Sequence, residues 1–254
     1  MRLFLFIATA ICFCSCTHVY YAPSSSNTPL FREKNEGMLN ASFITADEGT
    51  GAQVQSAYAV GKNIGVQLNF MTLGESETRS YNNSPTVITK GRGTYVEAAA
   101  GYFTPFSNIK FIFETYGGVG TGVVKNDYAS SEHSKVGVTK IFIQPAIGLR
   151  LPNYQMSLAT KFSTLMLKVK SSNLSSANLP GEYVDLDFVR NNKTSFLFEP
   201  TMSFRGGFKG FMFQAQLTLS FNINNNNLAQ EESLFSFGFV IPFKVKPATK
   251  AKSE

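Results

Sequence analysis

The chain has 254 residues, of which 43% are hydrophobic, 13% aromatic and only 16% charged, and its formal net charge is +6. Soluble domains hold roughly 25% charged residues, so 24 Phe alongside so little charge argue against an ordinary soluble globule. Part of the positive charge sits in a C-terminal run, Lys244, Lys246, Lys250 and Lys252, and no nucleic-acid-binding motif accompanies it.

Residues 1–15 read as a signal peptide: Arg2, an apolar run from Leu3 to Phe13, then Cys14-Ser15-Cys16. The run is too short for a spanning helix, which needs about 20 residues. Phe13-Cys14-Ser15-Cys16 resembles a lipobox, making Cys16 the expected lipidated N-terminus. Phe13 and Cys14 stand where such motifs favour Leu and a small residue. The chain's three cysteines all lie in this segment, which excludes a disulfide framework or a Cys-based metal site further on. Residues 16–37, including Ser24-Ser25-Ser26-Asn27-Thr28-Pro29, show no periodicity and read as an extended periplasmic tether.

From Met38 the period is two. Gln53 and Gln55 alternate with Val54 and Ser56; Phe211, Phe213 and Ala215 alternate with Gln214 and Gln216; Phe235, Phe237 and Phe239 alternate with Ser236 and Gly238. Ten strands are expected, at 38–46, 51–60, 64–73, 93–104, 108–122, 136–150, 155–169, 194–206, 209–223 and 233–244. Tight turns alternate with longer polar loops at 74–92, 123–135, 170–193 and 224–232. That rhythm predicts an all-β fold, an antiparallel up-and-down transmembrane β-barrel of about ten strands over residues 38–244, with a basic tail at 245–254. An even strand count puts both chain ends on one side, so the N-terminus is expected on the periplasmic side of the outer membrane.

A soluble sandwich also alternates, but its polar face is usually rich in Lys and Glu. Here that face is mostly Gln, Asn, Ser, Thr, Gly and Ala, side chains that suit a narrow lumen, and the other face carries rows of Phe as a lipid-facing band does. Tyr58, Tyr95, Tyr102 and Tyr116 are candidates for an aromatic girdle. Pro145 and Pro200 are expected on outward positions as local kinks. Glu97, Lys110, Glu114, Arg150, Lys161, Glu199 and Arg205 fall on the inward face, where unpaired charge is costly. They are expected to form a salt-bridge network that plugs the barrel, or else to line a small pore.

No chemistry stands out. His18 lies in the tether and His133 in a loop; Asp185 and Asp187 end the longest loop, which leaves a rim hydrolase as a third alternative. Gly117-Gly118-Val119-Gly120-Thr121-Gly122 lacks the Lys-Ser/Thr of a phosphate loop and reads as strand glycines. No catalytic residue, no metal site and no cofactor are expected beyond the lipid on Cys16.

The segments Cys16-Thr17-His18-Val19-Tyr20-Tyr21-Ala22-Pro23, Ala57 to Val66 and Gln144-Pro145-Ala146-Ile147-Gly148 resemble a group of uncharacterised outer-membrane β-barrel lipoproteins of Bacteroidota. The resemblance implies a membrane barrel with an N-terminal lipid and supplies no catalytic residues. The expected role is structural, adhesive or narrowly permeable, in a monomer whose partner is outer-membrane lipid and whose loops meet an unknown ligand. The competing expectation is a soluble, lipid-anchored β-sandwich or lipocalin-like binder of apolar ligands, with the Phe rows turned inward.

Overall fold

The computed structural model describes residues 18–79, 87–106, 110–128, 131–208 and 210–245; the signal peptide, Cys16 and most of the basic tail lie outside them. Its strands are β1 (Glu36–Ala46), β2 (Thr50–Ala59), β3 (Ile64–Arg79), β4 (Val87–Pro105), β5 (Phe111–Asp127), β6 (His133–Arg150), β7 (Tyr154–Ser172), β8 (Thr194–Phe208), β9 (Phe211–Leu219), β10 (Phe221–Asn222) and β11 (Ser233–Lys244). One helix, α1 (Pro180–Asn191), interrupts the loop between β7 and β8. Each strand from β1 to β8 pairs antiparallel with the next, and β11 pairs with both β9 and β1. The ring is therefore closed. β10 continues β9 past Ser220 and pairs with β8, so eleven strand segments make ten staves.

The polarity is inside-out. Phe213, Phe237 and Phe239 are 53%, 53% and 44% exposed, whereas Gln214 and Ser236 are each 1% exposed. The sandwich and lipocalin-like alternatives need the opposite arrangement, since there the Phe rows would fill the centre. The outer belt continues around the ring through Phe43, Leu68, Val119, Ile141 and Phe162. At the short-turn end it meets Tyr102 and Tyr154, both exposed. Tyr95 and Tyr116, expected in the same girdle, are buried inside instead.

Strands β4 to β7 run 17–19 residues, well beyond the roughly 9–11 that a tilted spanning strand needs. The surplus stands at the long-loop end, where the polarity reverses. There the inward residues are apolar (Leu73, Val136, Val138, Leu165, Leu167) and the outward ones charged (Arg92, Lys125, Lys168). Leu186 and Val189 of α1 pack into this upper core. The loop expected at 170–193 is thus largely strand and helix. Pro145 sits where the β6–β7 ladder omits two pairs and resumes in the same register, a kink without a bulge.

If the belt faces lipid, an arginine at Val119, near the middle of β5, should cost about 2–4 kcal/mol in urea unfolding from lipid vesicles. An unchanged unfolding curve for Val119→Arg would remove lipid from that face.

Candidate functional site

The lumen is filled by the chain's own N-terminal segment. Residues 23–31 are all buried, contrary to the free tether that their composition suggested. The segment enters at the long-loop end, where His18 lies 3.6 Å from Glu182 of α1 and 3.9 Å from Glu75. It leaves at the short-turn end, where Phe31 packs edge-on against Phe103 at 5.5 Å, and turns back into β1.

A lone strand inside a dry tube needs partners for its peptide groups, and the wall side chains supply them. Gln53 accepts from the Ser25 N–H at 3.2 Å, and Gln55 donates to the Ser25 carbonyl at 2.9 Å. Gln216 donates to Ser26 O at 2.9 Å, and Gln67 and Gln144 both donate to Asn27 O, at 3.0 and 2.8 Å. Arg205 donates to Thr28 O at 2.8 Å and Arg150 to Leu30 O at 2.8 Å. The inward glutamines thus act as a surrogate strand. Serine, asparagine and threonine on the plug are small enough to leave room for them. Leu30 holds a left-handed φ of 55°, costing on the order of 1–2 kcal/mol. Its side chain sits where a Cβ on Gly148 would stand 2.4 Å away, so Gly148 is what admits it.

The buried charges fall into two groups. In the upper one, Lys140 lies 3.0 Å from Glu199 and 3.3 Å from Glu97, and Lys161 lies 2.9 Å from Glu97. The plug joins this group: Ser24 donates to Glu97 at 2.7 Å and accepts from Lys161, while Tyr21 donates to Glu199 and accepts from Lys140 at 2.9 Å. Two acids and two bases balance, which is the condition for keeping such charges dry. In the lower group Arg150 makes a bidentate pair with Glu36 at 2.9 and 3.0 Å, and Arg205 donates to Gln155 and Gln214. Glu114 accepts from the Phe31 N–H at 3.1 Å.

Of the seven charges expected inside, Glu97, Glu114, Lys161, Glu199 and Arg205 are fully buried, and Arg150 is half-buried at the mouth. Lys110 is not inside: it is exposed in the short turn before β5 and offers only its carbonyl, to the Arg150 N–H. Strand parity fails for it because the strand begins one residue later. Lys140 and Glu36 complete the networks and were not anticipated, although Lys140 shares its parity with Gln144 and was legible from it.

Both mouths are capped by apolar residues, Tyr20, Leu186, Leu228 and Leu234 above, Leu30, Phe31, Phe103 and Ile112 below. Glu231, also buried above, accepts from the N–H groups of Asp47 at 2.9 Å and Glu48 at 3.2 Å. Burial, with Asp47 and Glu75 nearby, pushes its carboxyl up to about 7. His133 is exposed at the start of β6, and among the described residues no hydrogen bond or ion pair links it to Asp185 or Asp187.

No family model matches the chain, and no curated protein is similar to it. Among the solved structures that overlay on it are two outer-membrane proteins, both at low scores. An outer-membrane channel from Pseudomonas putida F1 is 9% identical, with a TM-score of 0.40, over 87% of this chain and 100% of the other. OmpT, an outer-membrane protein of Vibrio cholerae, is 7% identical, with a TM-score of 0.29, over 82% and 96%. The assignment of a closed barrel rests on this chain's own strand register.

Replacing Lys140 by Met leaves Glu97 and Glu199 with one cation between them, and should lower stability by about 3–5 kcal/mol in vesicle-based unfolding. A neutral result would mean that the network does not hold the plug.

Glu231 gives a pH signature. Its folded value is above the ordinary 4.5, so the native state binds more protons than the open state between those values. The local stability is full below about 4.5 and is lost as pH rises through about 7. Hydrogen exchange at Asp47 and Glu48 should accelerate across that window beyond the intrinsic base catalysis, and Glu231→Gln should abolish the excess.

Proposed function

We propose that this chain is a lipid-anchored outer-membrane barrel, neither an enzyme nor an open pore, that acts through the surface built at its long-loop end. The outward apolar belt, on a ring in which β9 and β11 close the sheet and each of the ten staves has a neighbour on both sides among the described residues, supports placement in a bilayer, where every backbone group must pair internally. Closure leaves the barrel complete within one chain, which supports a monomer.

The observation that carries the non-conducting reading is the occupation of the lumen from mouth to mouth by residues 18–31. Its two apolar caps and the balanced charges between them oppose the passage of ions as well as solutes. What then remains available to a partner is the upper face, where α1 and the protruding ends of β4 to β7 form a small water-facing domain.

Lipidation at Cys16 fits this reading with one change of side. Cys16 precedes His18 by two residues, a reach of roughly 7 Å at most, and His18 stands at the long-loop mouth. A lipid there anchors the chain beside the long loops, on the opposite side from the short turns. The expectation of a periplasmic N-terminus assumed a tether that stays outside the barrel, and the threaded segment removes that assumption.

The test is conductance in planar bilayers. The intact protein should give no stable channel current, and deletion of residues 18–31 should give steady openings. A wild-type protein that conducts persistently would overturn the sealed-lumen reading and restore the narrow pore.

A further inference from the structure

Above the apolar belt, four adjacent strands present cations to the outside at one level. Arg92 of β4 is directly opposite Lys125 of β5, which is directly opposite Lys135 of β6. Lys168 of β7 pairs with Gly137, two residues further along β6. Four of the five cations, Arg92, Lys125, Lys168 and Lys170, are exposed and Lys135 is half-buried. None forms an ion pair with a described residue. Asp127, two residues along β5 from Lys125, lies directly opposite Lys90.

Such a row works against the fold, because like charges directly opposed across a ladder destabilise it. Two local features nevertheless tighten it. The β6–β7 register shifts between Lys135 and Val136, which leaves Lys170 as the unpaired extra residue of a bulge, a device that re-aims a side chain. Lys170 is then laid over Gly137, where a Cβ would come within 2.5 Å of its Cε. The glycine makes room for the lysine, and the bulge turns it toward its like-charged neighbours.

We propose that this row is a binding site for the phosphate groups of lipid headgroups in the leaflet around the long-loop end. The inference rests on the membrane placement proposed above. Level and chemistry both fit. The apolar belt begins at Val96 on β4, four residues below Arg92, about 13 Å along the strand and less along the tilted normal. Flexible Lys and Arg stems bridge that interval with their charges at headgroup height. A phosphate bound between opposed cations supplies the countercharge that the protein withholds.

The test uses the intact protein reconstituted in phosphatidylcholine vesicles containing lipid A or its dephosphorylated form, with the unboiled-gel mobility shift reporting a folded barrel. Wild type should retain phosphorylated lipid A through purification, and its unfolding temperature should rise with the lipid A fraction. The triple variant Arg92→Gln, Lys125→Gln, Lys168→Gln should bind it weaker by on the order of a hundredfold, at roughly fivefold per cation. In pure phosphatidylcholine the same variant should be at least as stable as wild type, since the repulsion is relieved; a merely structural role would make it less stable. A folded, inserted barrel with equal affinity for both lipids overturns the inference while leaving the membrane placement intact. So does displacement of lipid A by a tenfold excess of inorganic phosphate, which would make the row a free-anion site. Failure of wild type to insert at all would overturn both.

Discussion

The structure depends on how a peptide segment without a strand neighbour is kept hydrogen-bonded inside a closed tube. Every buried N–H and C=O of residues 23–31 needs a partner, and the wall strands have spent their own backbone groups on each other. Side chains therefore stand in. Glutamine serves best because its amide both donates and accepts, and because it is long enough to cross from the wall to the axis. Five inward glutamines, Gln53, Gln55, Gln67, Gln144 and Gln216, meet the segment between Ser25 and Asn27. The requirement is mutual: without the plug these amides would lose their peptide partners and be left to water in an opened lumen.

The same constraint explains why charge is tolerated so deep. Glu97 and Glu199 accept hydrogen bonds from Ser24, Tyr21, Ser163 and Asn69, and Lys140 and Lys161 donate to Tyr21 and Ser24 as well as to the two acids. Two of those four donors belong to the plug. Coulombic attraction in a low-dielectric interior is repaid only when the remaining lone pairs and protons are also satisfied. Plug and charges thus form one cooperative unit, each satisfying polar groups of the other.

Strand existence, topology and facing were legible in the sequence because period-two alternation survives wherever one face joins an outward apolar belt and the other a polar lumen. The strand ends were misjudged for a physical reason. Expected boundaries at residues 73, 93, 122, 136 and 169 fall where the outward face stops being apolar, while the hydrogen-bonded ladder runs on to Arg79, Val87, Asp127, His133 and Ser172. There the pattern inverts instead of ending. Helix α1 left fainter marks, Pro180 in its first turn, Glu182 beside it and Arg190 in its last turn, with only Leu186 and Val189 buried. The plug was the least legible part. Ser24 to Pro29 has the composition of a linker, and only the count of inward amides lacking partners signals that something must fill the barrel.

The inversion also bears on which end is which. A wall that changes from polar-inside to apolar-inside along one strand is passing between two surroundings, because each face follows whatever it touches. Below the change the outer face is apolar and the lumen is polar; above it the outer face carries Arg92, Lys125 and Lys168 and the interior is built from Val136, Val138 and Leu165. The upper part is organised like a small soluble protein resting on the barrel, with α1 and Tyr20 completing its core. Chain direction then follows from packing. Tyr20 and Tyr21 need the apolar upper zone, and Ser24 to Thr28 need the polar one. Phe31 needs the lower cluster with Phe103 and Ala59. The order of these residues along the segment matches the order of zones along the barrel in one direction only, so the threading from the long-loop mouth downward is fixed by side-chain polarity.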